Sequence, residues 1–319
     1  MPRYARNAAI LAKIETTYGT DSVPTGAANA MLISNLSINP LNANNVSRDL
    51  INTYFGGSEE LVGTAFVEAA FDIEVAGSGA AGTAPAWGAL LRACGFAEAI
   101  TASQRVDYTP VTNSLESVSI YYHDDGVLHK LLGARGTFEL KMGVGERPVF
   151  SFKFQGLDGG ISAVANPALT LTAFKTPLVV NDANTGDITV GCTYSAGALS
   201  GGTTYTSRGL MVNMGNAINY TPLLGGETID LTNRDVTGHI DLDLTAAQEV
   251  TFMSTVKANT KQSVGIVHGS TAGYKVLVHA PAAQLINPSK QDINGRRLLG
   301  YDLRLIPSSG NDELRIVSL

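Results

Sequence analysis

The sequence predicts a mainly β chain with short helices, in which one strand–helix–hairpin–strand module occurs twice in tandem. Three observations carry that prediction. An alternation of apolar and acidic residues, Phe71-Asp72-Ile73-Glu74-Val75, returns as Ile240-Asp241-Leu242-Asp243-Leu244. Each copy is followed by a helix signal, and each helix by a hairpin. Finally, 34 glycines stand against a charged fraction of only 16% in 319 residues, a composition suited to short strands and many turns. The length accommodates two cores of about 150 residues each, so the modules are expected at 1–157 and 158–319.

The elements follow in order. Period-two alternation with carboxylates on one side marks a strand that buries one face and wets the other. In the first helix Thr83 is the expected N-cap and Pro85 lies in the first turn. Trp87, Leu90, Leu91 and Cys94 form the apolar stripe, and Gly95 is the stop. Its counterpart opens with Thr245-Ala246-Ala247-Gln248, a capping box, and continues with Phe252, Met253 and Val256. A hairpin is expected over Ser117–Tyr122 and Val127–Leu132 around Asp125-Gly126, matched by Ser263–His268 and Tyr274–Val278 around a Gly269–Gly273 turn. Phe150–Phe154 and Tyr301–Leu305 close the two copies with the same alternation, and a Gly-rich turn at Leu157–Gly160 is expected to end the first. The competing reading is a single large β-sandwich whose strands are alike by composition only.

Composition excludes several roles. A net charge of −6 and a pI near 5.4 offer no basic stripe for a phosphate backbone. No run approaches the roughly 18 apolar residues of a membrane span, and Lys13 and Glu15 interrupt the apolar stretch near the start, leaving it too short for a signal-peptide core. Cys94 and Cys192 stand outside any metal or redox spacing and read as buried thiols in a reducing cytoplasm.

No catalytic constellation emerges. Gly77-Ser78-Gly79-Ala80-Ala81-Gly82 spells a dinucleotide fingerprint, but the strand before it carries Asp72 and Glu74, where a buried parallel strand is apolar throughout. The second copy shortens this loop, so the glycines read as a flexible insertion. The histidines lack metal-ligand spacing, and His123-Asp124-Asp125 reads as a solvated turn. The polar stretches Asn42–Gly63 and Thr221–Asn233 read as long exposed loops. The first holds Arg48, Asp49, Leu50, Ile51, Tyr54 and Phe55, and apolar side chains in an exposed loop point to a partner.

Three segments carry a resemblance. Ala9–Thr20, Met31–Leu36 and Asp125–Phe138 resemble tail tube proteins of bacteriophages with long non-contractile tails. The resemblance implies tail-tube-type β-sandwich or barrel modules, each flanked by one α-helix, six of which close a ring around a continuous inner barrel. Two modules per chain then imply a trimeric, pseudo-hexameric ring, stacked into a tube that conducts DNA. It implies no cofactor, no membrane and no catalysis. The implied partners are the chain itself, tape measure protein, and tail terminator and tip proteins. DNA passes without specific binding, and the implied location is the virion tail, with host cytoplasm during assembly. On this reading Glu68, Asp72, Glu74, Asp241 and Asp243 face the lumen, and the Asn42–Gly63 segment contacts the next ring. Lys153 and Arg304 fit an acidic lumen only if their faces point elsewhere. The rival is another virion or surface β-protein, such as a capsid decoration or adhesin module.

Overall fold

A computed structural model describes residues 2–319. The first half supplies β1 (Ala8–Ile14), β2 (Ala30–Met31), β3 (Ser34–Ser47), β4 (Glu60–Glu74), α1 (Gly88–Ala93), β5 (Phe96–Thr101), β6 (Arg105–Pro110), β7 (Val118–Asp124), β8 (Val127–Gly143) and β9 (Val149–Ala163). After a connector without named strands come β10 (Ile188–Val190), β11 (Thr193–Ser195), β12 (Ala198–Ser200), β13 (Thr203–Tyr205), β14 (Ser207–Asn213), β15 (Asn216–Leu223) and β16 (Gly226–Arg234). β17 (Thr237–Leu242), α2 (Ala246–Lys257), β18 (Lys261–His268), β19 (Val276–Ile293), β20 (Arg296–Leu305) and β21 (Arg315–Ser318) complete the chain. The fold is mainly β with antiparallel sheets.

Alternation builds the core. Along β4, Val67, Ala69, Phe71 and Ile73 are buried while Glu68, Asp72 and Glu74 stay on the other face. Phe71 packs on Phe152 and Phe154 of β9, and Phe138 of β8 meets Phe150 edge-on at 5.4 Å. Trp87 closes this cluster from the α1 side and donates its indole N–H to the Ala76 carbonyl at 2.8 Å. The second half has a smaller aromatic set, with Phe252 of α2 between Tyr205 and Tyr301.

The two halves pair their strands in the same order. The first runs β1-β7-β8-β9-β4-β3. The second runs β10-β18-β19-β20-β17-β14. Registers agree as well: Ala69, Phe71 and Ile73 face Phe154, Phe152 and Phe150, while Gly238, Ile240 and Leu242 face Leu303, Tyr301 and Leu299. The numbering shift is constant, 169 on one strand (Phe71 to Ile240) and 149 on its partner (Phe152 to Tyr301).

Several sequence expectations change. α2 has the expected capping box, with the Gln248 backbone N–H donating to the Thr245 hydroxyl and the Gln248 side chain reaching the Thr245 backbone. α1 starts later than expected. Trp87, not Thr83, precedes its first residue, because residues 83–87 are taken up by turns after Gly82 (φ 72°) and around Pro85. Leu157–Gly160 is no turn, since β9 continues through it to Ala163 along β8. The "loops" are parts of two hairpins: Asn42–Gly63 is the end of β3, a twelve-residue tip and the start of β4, and Thr221–Asn233 is almost wholly β15 and β16. Their polar, weakly alternating sequence hid the strands, because the few apolar residues do not settle a period. His123 is buried at the end of β7 rather than solvated, and burial pushes its imidazole pKa down. The glycine loop is a packing device, not a flexible insertion: a Cβ on Gly77 would lie 2.1 Å from the Gly273 carbonyl oxygen, and the Gly79 N–H donates to that oxygen.

Two strand pairings join the halves. β21 bridges β19 and β6. β14 pairs with the end of β8, Leu210 opposite Met142 and Val212 opposite Leu140. The second joint depends on Gly209, whose φ is +112° and whose added Cβ would sit 1.8 Å from the Met142 carbonyl oxygen. Gly209→Ala is therefore expected to destabilise the chain by more than about 1 kcal/mol in urea unfolding, whereas an Ala at open Gly145 costs only its positive φ.

Candidate functional site

Because β14 continues the first half's sheet, eight strands share one surface in the order β3-β4-β9-β8-β14-β17-β20-β19. Residues directly opposite in an antiparallel pair lie on the same face, so the register sorts the polar side chains. Glu68, Asp72 and Glu74 share their face with Lys153 through Ala70 opposite Lys153. The same face carries Glu139 and Lys141 on β8, and His239, Asp241, Asp302 and Arg304 on β17 and β20. Lys153 and Arg304 thus do not point elsewhere. The strands place six carboxylates (Glu68, Asp72, Glu74, Glu139, Asp241, Asp302) against five cations (Arg135, Lys141, Lys153, Arg296, Arg304) on this face, which leaves it only slightly net negative.

Most of these acids are held. Glu74 accepts from Arg147 at 2.6 Å, Asp72 from Asn35 at 2.7 Å and Glu68 from Gln155 at 3.0 Å. Glu139 pairs with Lys141 at 3.0 Å. Asp243, just beyond β17, pairs with Arg296. His239 bridges Asp302 at 2.9 Å and Asp241 at 3.1 Å. Partial burial would lower the imidazole pKa, but the two carboxylates outweigh it and hold it above the ordinary value, while the same contact lowers Asp302.

The second surface is the pair of long hairpins. The β3–β4 hairpin ends in a twelve-residue tip, 48–59, whereas the β15–β16 hairpin turns through 224–225 alone. Arg48 pairs with Glu59 across the base of the tip, and Ile51, Tyr54 and Phe55 are 100%, 74% and 108% exposed. Arg48, Asp49, Leu50, Ile51, Tyr54 and Phe55 therefore cluster at this one tip, well separated along the chain from the acidic strand segments that pair with β9 and β20.

The β15–β16 hairpin, by contrast, is seated. It lies across the first half on a saddle formed by Tyr18 and Arg135, whose guanidinium stacks 4.7 Å from the tyrosine ring. The Tyr18 hydroxyl accepts the Ile229 N–H, and Arg135 donates to the Ile229 carbonyl at 2.8 Å. Gly133 is needed below, since a Cβ there would meet the Tyr18 ring at 2.8 Å. Glu15 fixes the saddle from behind, accepting from Ser117, Ser119 and the Gly19 and Gly133 N–H groups at 2.7 to 2.8 Å. The sequence signal for the saddle lay in two of the segments that carried the resemblance, 9–20 and 125–138, though no role for Tyr18 or Arg135 was legible there.

A family model described as phage tail tube protein matches residues 5–303. The chain belongs to that family. Among curated proteins, none matches. A tail tube protein is a structural part of the virion tail, and this agrees with a surface organised by sheet edges and hairpins. Among the described residues, no three His, Cys, Asp or Glu side chains assemble as metal ligands, and no helix is long and apolar enough to cross a membrane.

The His239 cluster in this tail tube protein makes a pH prediction. A raised folded-state pKa means that the imidazolium stabilises the fold below the unfolded pKa of about 6.5, and that this contribution fades as pH rises through the folded value. NMR titration is expected to place the His239 midpoint above those of His123, His268 and His279, whose values burial lowers. Asp302→Asn should bring the His239 midpoint down.

Proposed function

We propose that the chain polymerises as stacked trimeric rings with pseudo-sixfold symmetry, forming the tube of a long non-contractile tail whose net-negative bore conducts DNA during genome ejection. The observation that carries this reading is the continuous eight-stranded surface, in which two halves of identical strand order stand side by side, with β3 free along one outer edge and Asn287–Ile293 of β19 free along the other. Two such halves are taken as duplicated modules, the boundary falling in the strandless connector 164–187 after β9. Three chains then supply six modules. A heterologous contact repeated by rotation closes a ring, and closure removes both edges.

The lumenal assignment rests on charge and order. Glu68, Asp72, Glu74, Asp241 and Asp243 lie on or beside the polar face, away from both cores. A net-negative wall repels the duplex over its whole length, so DNA slides without binding. Lys153 and Arg304 dilute that charge while the paired acids keep the surface ordered. The tip 48–59 reaches beyond the arms and presents apolar side chains to the next ring. The chain carries no catalytic chemistry or cofactor, and its further partners are tape measure, terminator and tip proteins. It assembles in the host cytoplasm.

Two experiments test the reading. Lysine at Asp72, Glu74, Asp241 and Asp243 should leave tubes visible by electron microscopy and slow genome delivery; infection at the normal rate would refute the repulsive bore. Deleting 49–58 should leave rings that do not stack, and tubes of ordinary length from that variant would remove the tip from the ring-to-ring contact. Fixed small oligomers from the unaltered chain would favour a decoration or adhesin module instead.

A further inference from the structure

We infer that the joint between neighbouring chains copies the joint already made inside the chain: the β3 edge of one copy pairs with the far end of β19 of another, and its β3–β4 hairpin is seated on a second saddle beside Tyr194. The inference deepens the ring reading and rests on it. Its evidence is the internal template.

Within the chain, β14 pairs with Glu139–Gly143 of β8. The constant registers map each side of that pairing onto a free edge. On one side, Met211, Val212 and Asn213 face His239, Gly238 and Thr237, as Ser37, Ile38 and Asn39 face Ala70, Ala69 and Glu68. Gly209 corresponds to Asn35, and both have positive φ, +112° and +52°. On the other side, Leu140 and Lys141 face Phe150 and Val149, as Lys290 and Gln291 face Leu299 and Leu298. The transferred register sets Ser37 opposite Gln291, Ile38 opposite Lys290 and Asn39 opposite Ser289.

Burial agrees with a missing neighbour. Leu210 and Val212 are 4% and 1% exposed, while their counterparts Leu36 and Ile38 are only half-buried. From Asn287 to Ile293, β19 is paired only with β20.

The saddle repeats too. β1 on β7 and β10 on β18 share register, with Ile14 opposite Val118 and Val190 opposite Val264, so Tyr18 corresponds to Tyr194. Likewise Val118 faces Ala134 as Val264 faces Ala280, so Arg135 corresponds to Pro281. The arginine that proline cannot supply comes from β21: Arg315 stacks 4.5 Å from the Tyr194 ring. In the first half this stack carries a hairpin. In the second it borders an open cavity of about 420 Å³ lined by Tyr194, Ser263, His279, Pro281 and Arg315. The hairpin that matches is β3–β4, whose arms leave Val46, Leu61 and Val62 exposed at 53%, 52% and 63%.

The full chain carrying Ser37→Cys and Gln291→Cys tests the register, with Ser37→Cys and Lys290→Cys as the one-residue slip that points to the opposite face. Wild type is the blank, since Cys94 and Cys192 are buried. After oxidation of assembled protein, non-reducing gels should show chain-to-chain disulfides for the first pair alone, closing at three chains. Closure at another number supports the joint and overturns the trimer. Tubes by electron microscopy without that cross-link, or with it only in the slip pair, overturn the joint while the tube reading stands. Absence of both polymer and cross-link in every variant overturns both. Ile38→Asp should abolish polymerisation while the monomer's melting temperature stays near wild type; polymerisation at the wild-type level would overturn the β3 edge assignment.

Discussion

A sheet edge is a row of backbone donors and acceptors that must find partners, and the pairing of β14 with β8 is where this chain meets that demand for itself. Without it the halves would be joined by strand pairing only through β21, and β8 and β14 would each present a bare edge. With it, the polar faces of β4 and β17 belong to one surface, and the β15–β16 hairpin is brought over Tyr18 and Arg135. The cost of the close approach is a glycine at 209 with positive φ, where any side chain would strike the Met142 carbonyl.

The same constraint explains why the halves differ where they do. The first half's hairpin keeps a long tip, while the second's is trimmed to a two-residue turn. The second hairpin covers a saddle in its own chain, so its arms and register are answered locally. The arms of the first hairpin have no such surface beneath them, and apolar side chains from Leu41 to Val62 stay exposed. Eight exposed large apolar side chains lie between Leu41 and Val62, beside a well-filled core, as in an interface that awaits a partner.

What could be read from the residues was whatever alternates sharply. Phe71–Val75, Ile240–Leu244, Phe150–Phe154 and Tyr301–Leu305 each bury one face, so their period is unambiguous, and the α2 capping box is a local signal that tertiary packing left intact. The hairpin arms were not legible, because Ser34–Ser47 alternates only weakly, with Leu36 and Ile38 its main inward apolar residues, and its pairing is decided by β4. Likewise the end of β9 was hidden by Asp158-Gly159-Gly160, turn residues held in strand by β8. The polar face was legible as alternation but not as electrostatics: which cation meets which acid depends on register between strands far apart in sequence, as with His239 and Asp302 or Arg147 and Glu74.

On the proposed ring of duplicated modules, joining two modules in one chain has a consequence for assembly that single modules lack. When two neighbours are covalently joined, one of every two module contacts forms at intramolecular effective concentration and needs no encounter. That contact is the one in which Leu210 and Val212 are already buried and Arg135 already holds Ile229. Selection can therefore tolerate a costly feature there, such as Gly209, because the joint does not have to form from free partners. The proposed contact between chains faces the reverse demand. It must stay soluble while unpaired, and its β19 side accordingly presents Asn287, Pro288, Ser289, Lys290 and Asp292 where β8 presents Phe138, Leu140 and Met142. Proline and charge on an exposed edge discourage indiscriminate strand addition, so on the proposed ring the two joints would share a register and differ in chemistry, the inner one formed within the chain and the outer one exposed until assembly.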